Sequence, residues 1–252
     1  MTSPLDGIDL VVFDKDGTLI DFHAMWSGWA RDLAAGLEAA TGRDLRVPLY
    51  RNLGYDDATG RADAHGQLAA TPMARIRDST MTVMLEAGIA PDDAEAALLA
   101  AWHAPDPVEL AVPLADLAAL FGALRATGRR LAVATSDDRG PTKSTLAAAG
   151  VDGLLDAVVC ADDGLHVKPA PDMVLAICDR VGVAPARTAV VGDSVADLAM
   201  GRAAGVGRCI GVLTGVGTAD DLAPHADVTL ASIADLLADG PAADGDREEA
   251  RE

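Results

Sequence analysis

The chain has 252 residues, half of them hydrophobic but only 3% aromatic, so a sizeable core must be built mainly from Ala, Val, Leu and Ile. Its 39 acidic and 20 basic residues leave a formal charge of −19. Phosphate backbones and anionic membrane surfaces repel such a chain, which argues against nucleic-acid and membrane partners.

The first apolar run, Leu10–Phe13, lacks polar alternation and reads as a strand covered on both faces. Residues 21–110 then carry helical patterns and no convincing strand. The best segments are Met25–Glu38, Met73–Ala87 and Asp92–His103, with Pro72 and Pro91 suited to helix first turns. An all-helical insertion is predicted there. Beyond it, helix and strand alternate: Leu114–Ala126, Leu131–Ala134, Thr142–Ala149, Ala157–Cys160, Asp172–Val181, Ala189–Val191, Val195–Ala204 and Cys209–Leu213. Glycines at 128, 150, 182 and 205 follow the four helices, and glycine takes the left-handed conformation that stops a helix. Asp227–Leu230 is a candidate sixth strand, and 240–252 lacks periodicity and is expected to be disordered. The alternation predicts an α/β fold with a parallel sheet and helices on both faces.

Cys160, Cys178 and Cys209 are odd in number and show no CxxC spacing, as expected of buried small residues in a reducing compartment. No apolar run approaches the ~20 residues that span a bilayer. Asp6 and Asp9 replace the basic region of a secretory signal, so a cytoplasmic location is expected.

The chemistry collects at the strand ends. The first strand runs into Asp14-Lys15-Asp16-Gly17-Thr18. Residues two apart in an extended segment point the same way, so Asp14 and Asp16 share a side, and two close carboxylates can divide the roles of nucleophile and proton carrier. The second strand ends in Thr135-Ser136, a hydroxyl and free amides suited to phosphate oxygens, or to capping a helix ahead of solvated Asp137 and Asp138. Past the third comes Lys168 beside Pro169 and Pro171; past the fourth come Gly192-Asp193 and, a helical turn on, Asp197. Each cluster alone reads equally as a turn, a cap or a solvated loop. In an open parallel sheet, however, ligands bind at the carboxyl ends of the strands, and all four clusters fall there.

This set of motifs resembles the haloacid dehalogenase-like hydrolase superfamily, with Asp14-Lys15-Asp16-Gly17-Thr18, Thr135, Lys168, and Gly192-Asp193 with Asp197 matching its four motifs. Lys168-Pro169-Ala170-Pro171, the stretch Gly211–Gly215 and Ala226-Asp227 look like its phosphoglycolate phosphatase-like branch. The resemblance implies a Rossmann-like core over 1–20 and 111–239 and a helical cap over 21–110. It implies a phosphatase in which Asp14 attacks phosphorus and forms an aspartyl-phosphate. Asp16 would protonate the leaving alcohol and then activate water. Thr135, Ser136 and Lys168 would hold phosphoryl oxygens. Mg2+ would be bound by Asp14, the Asp16 carbonyl and Asp193, with Asp197 as a further ligand or an orienting partner. Asp16 departs from the Thr of the superfamily's transport ATPases, and the absence of lysine from 21 to 110 argues against Schiff-base phosphonate cleavage. Lys15 is a less usual occupant of its position and is expected to point away from Asp14 and Asp16.

The expected substrate is a small phosphorylated metabolite, phosphoglycolate first. A sugar phosphate, a phosphoglucomutase-like transfer and a non-catalytic binding protein are the alternatives. In the cap, His23 and Trp26 follow the first motif and are candidate substrate contacts. Arg51, Arg61, Arg75 and Arg77 are candidate carboxylate binders, because a guanidinium fork matches two oxygens.

Overall fold

Four consecutive apolar residues, Leu10–Phe13, form β1, and all four are buried. The alternation of a strand sends Val11 and Phe13 into one core cluster and Leu10 and Val12 into the other, on opposite faces of the sheet. The computed structural model describes residues 3–63, 66–103 and 106–237. After β1 come α1 (Phe22–Thr41), α2 (Arg46–Leu53), β2 (Tyr55–Asp56), β3 (Arg61–Ala62), α3 (Gln67–Ala70), α4 (Met73–Glu86) and α5 (Pro91–Ala101). Then follow α6 (Leu117–Ala126), β4 (Arg130–Ala134), α7 (Arg139–Ala148), β5 (Ala157–Val159), α8 (Asp172–Val181), β6 (Thr188–Gly192), α9 (Val195–Ala204), β7 (Arg208–Val212), α10 (Ala219–Leu222) and β8 (Val228–Leu230).

The main sheet has six parallel strands in the order β5-β4-β1-β6-β7-β8. The chain builds outward from β1 through β4 to β5, then returns to the other side of β1 to lay down β6. The order therefore reverses around β1, which places a crevice at its carboxyl end. The segment that reads as Asp227–Leu230 pairs with β7 as the sixth strand.

The inserted segment leaves and re-enters the core side by side: the Asp21 amide donates to Val112 O at 2.8 Å and the Leu114 amide to Leu19 O at 2.9 Å. Asp21 also caps α1, its carboxylate accepting from the amides of His23 and Ala24. Met25, Trp29, Leu33 and Leu37 recur at helical spacing on the buried side of α1, which packs on α2 and α5. The insertion is not helical throughout. β2 and β3 pair as an antiparallel ribbon of two residues each, too short for alternation to show in sequence. The expected disordered tail lies outside the described residues.

Candidate active site

The strand ends deliver their polar residues into one pocket. Asp14 follows β1, Thr135 and Ser136 follow β4, Asp193 follows β6, and Lys168 enters from the loop after β5; all line it. Two of the expected cap residues behave differently: Trp26 lines the pocket, whereas His23 is not part of the lining.

Lys168 is the electrostatic centre. Its ammonium contacts the Asp14 carboxylate and lies 2.6 Å from Asp197 Oδ1. Burial works against its charge, yet Asp14 and Asp197 outweigh that effect and raise its pKa. Asp14 shows the opposite pressure. Burial pushes its pKa up to about 7, against the pull of Lys168 and with a contribution from Asp197 and Asp16. Burial, and then Asp14, push Asp193 up as well. Five carboxylates line the pocket, those of Asp14, Asp16, Asp137, Asp193 and Asp197. The lysines touching them are Lys15 and Lys168.

That excess of negative charge fits a cation. Asp14, Asp193 and Asp197 each offer one oxygen, all within 4.8 Å of one another, and all three residues are buried. An all-oxygen set with few carboxylates matches the preference of Mg2+. Asp197 also closes the start of α9 as a capping box: its Oδ2 accepts from the Ser194 amide at 3.0 Å and from the Ser194 hydroxyl at 2.6 Å. The same side chain thus caps α9 and stands in the acidic cluster.

Asp193 is held by groups that its own motif does not contain. Val216 N donates to its Oδ2 at 2.8 Å, and Thr18 Oγ1 lies 3.3 Å from its Oδ1. Gly17 has a φ of 86°, and a Cβ there would fall 2.4 Å from Asp193 Oδ2, so the turn after Asp16 needs glycine twice over. Thr214 Oγ1 donates to Gly17 O at 2.6 Å, tying the loop after β7 to the same turn.

Lys15 does not point away. Its side chain is 1% exposed and its ammonium lies 2.7 Å from Asp16 Oδ1 and 3.2 Å from Asp137 Oδ2. β1 ends at Phe13, so strand alternation no longer dictates where residue 15 points. Asp137, which reads as solvated in sequence, lines the pocket, and its pKa is raised by burial against the pull of Lys15.

The four cap arginines are also placed differently from the expectation, and none belongs to the pocket lining. Arg77 pairs with Glu95 at 2.6 Å, and Arg61 donates to Gly215 O at 3.3 Å. Arg51 and Arg75 are exposed. On α4, Met73 and Ile76 are three residues apart and share the face that lines the pocket; Arg75, two residues from Met73, falls off that face, and Arg77, four residues from Met73, turns to Glu95 instead of the pocket. On β3, Ala62 is buried and Arg61 is exposed, its guanidinium reaching the Gly215 carbonyl and not the pocket lining.

Residues 8–205 match the family model of the haloacid dehalogenase-like hydrolases. A probable phosphatase, IndB, of Dickeya dadantii is 33% identical over 84% of this chain and 84% of its own length. A phosphoglycolate phosphatase of Rhodospirillum rubrum is 33% identical over 78% of this chain and 76% of its own. The fold is shared with a HAD-superfamily hydrolase of Geobacter sulfurreducens, at a TM-score of 0.64 and 18% identity over 92% of this chain and 95% of that one. Family model, relatives and fold agree, and the chain belongs to the haloacid dehalogenase-like hydrolases.

Proposed function

We propose that the protein is a Mg2+-dependent phosphatase of a small phosphate monoester, in the phosphoglycolate phosphatase-like branch of its family. The observation that carries this reading is the convergence of Asp14, Asp193, Asp197, Lys168 and Thr135 on one pocket where the strand order reverses. The two relatives named as phosphatases support it. We assign residues 1–20 and 111–239 to the catalytic core and 21–110 to the cap, and expect a cytoplasmic enzyme; among the described residues no helix is long and apolar enough to cross a membrane.

Asp14 is the nucleophile: an oxygen of its carboxylate attacks phosphorus, the ester oxygen departs with the electron pair, and an aspartyl-phosphate forms. Asp16 gives the departing alcohol its proton, then takes a proton from the water that cleaves the acyl-phosphate. Lys168, the Thr135 hydroxyl and the backbone at Ser136 hold the equatorial oxygens. Mg2+ held by Asp14 and Asp193, with Asp197 beside them, would neutralise charge on the transferring group. A cation there also offsets the burial that raises the proton affinity of Asp14, and so favours the ionised form a nucleophile requires.

The test is phosphate release from small alkyl and aryl phosphates. Wild type should turn over with Mg2+ and stop in excess chelator. Asp14→Asn should lose at least about a hundredfold in kcat while keeping its circular dichroism spectrum. Full activity without a divalent cation, or in Asp14→Asn, would remove the proposed mechanism.

A further inference from the structure

The cap side of the pocket has a chemistry of its own. Phe22, Trp26, Leu68, Ala69, Met73 and Ile76 line it, Val216 of the core joins them, and Thr71 supplies the hydroxyl group among these described cap residues. Aromatic residues make up 3% of the chain, yet Phe22 and Trp26 stand together here, ring centroids 6.2 Å apart. The Trp26 indole N–H is buried without a partner, whereas that of Trp29 donates to His103 O at 2.6 Å. The polar groups of this wall are the Trp26 N–H and the Thr71 hydroxyl, and among its described residues there is no cation.

We propose that the phosphate ester taken by this site carries a neutral alcohol with an apolar face the size of a ring, and not a carboxylate or a sugar. The inference rests on the phosphatase reading for the phosphoryl end and concerns the leaving alcohol. A carboxylate would leave water for an apolar wall and approach five carboxylates, of which Asp14, Asp193 and Asp197 are buried. Lys168 is already engaged by Asp14 and Asp197, and the cap arginines pair or lie outside the lining. A sugar would bring several hydroxyls to a wall that offers only the Thr71 hydroxyl and the Trp26 N–H among its described residues, and each unmet group loses its water. A ring or branched alkyl group instead gains by leaving water for Phe22, Trp26, Met73 and Ile76.

Non-hydrolysable ligands separate this inference from the chemistry. With the full chain and Mg2+, calorimetry should give benzylphosphonate a Kd at least about tenfold lower than phosphonoacetate, the scale of one buried apolar group. Met73→Arg, which adds a cation to the wall, should reverse or narrow that ratio by about tenfold. Ratios of kcat/KM for benzyl phosphate against phosphoglycolate and glucose 6-phosphate should follow the same order. Phosphonoacetate binding as tightly as benzylphosphonate, or neither ligand binding, overturns the inference. A preserved binding ratio without phosphate release from any ester would instead sink the phosphatase reading and leave the ligand class standing.

Discussion

At the scale of single residues, Lys15 departs furthest from what its position in the sequence indicates. A lysine that is 1% exposed is tolerated because two carboxylates meet its ammonium. Burial opposes its charge, and Asp16 with Asp137 reverse that effect and raise its pKa. The lysine therefore joins the turn after β1 to the turn after β4, and fixes the rotamer of the proposed proton carrier. Lys15→Met would leave Asp16 and Asp137 facing each other without a counter-ion, so thermal stability should fall. Catalysis should suffer selectively. A poor alkyl leaving group needs proton donation more than a good aryl one, so the loss in kcat should be about tenfold greater for an alkyl phosphate. Lys15→Arg should recover part of it. Equal losses on both esters would make Lys15 a structural residue only. The pairing was not legible beforehand, because the burial of a lysine is decided by a partner distant in sequence. That Asp14, Asp193 and Lys168 would meet was legible only from the set, since each alone reads as a turn, a cap or a loop, but all follow apolar strands of one parallel sheet and line one pocket.

At the scale of elements, the loop after β7 contributes as much to Asp193 as the strand that carries it. Val216 donates to its carboxylate and Gly217 N to its main-chain oxygen. A Cβ at Gly215 would fall 1.9 Å from Asp193 Oδ2, an overlap that only movement of the carboxylate or the loop can relieve. Gly215→Ala should therefore displace Asp193 and raise the Mg2+ concentration for half-maximal activity by about tenfold or more, the range expected when the support of a metal ligand is disturbed. The circular dichroism spectrum should be retained. An unchanged Mg2+ requirement would show that the loop yields instead. The helices around the sheet were readable because their signals are local. Asp172–Val181 and Val195–Ala204 appear with the predicted bounds, each closed by a left-handed glycine. α2 also ends at a left-handed glycine, Gly54, but it is only eight residues long with Pro48 inside it, and neither two-residue strand of the ribbon is long enough to show a period.

At the scale of the whole molecule, the cap is joined to the sheet by packing as well as by its two crossing segments. One cluster of buried side chains runs from Val11 and Phe13 of β1, through Phe121 and Leu124 of α6, to Trp26, Trp29 and Leu98 of the insertion. Phe13 stacks on Phe121 with centroids 5.1 Å apart, and Trp29 meets Trp26 and Trp102 edge to face. Arg61 adds a polar tie from β3 to the loop carrying Gly215. A shared core of this kind couples the unfolding of its parts, since exposing the cap strips apolar cover from one face of the sheet. The chain allows a direct check. Its three tryptophans, Trp26, Trp29 and Trp102, all lie in the insertion, so intrinsic fluorescence reports the cap, while far-ultraviolet circular dichroism reports every helix and strand. Thermal or urea unfolding followed by the two signals should give coincident midpoints in the Mg2+-free protein. A fluorescence midpoint well below that of the dichroism would show that the cap melts from a core that stands alone, and that the common cluster does not bind the two into one cooperative unit.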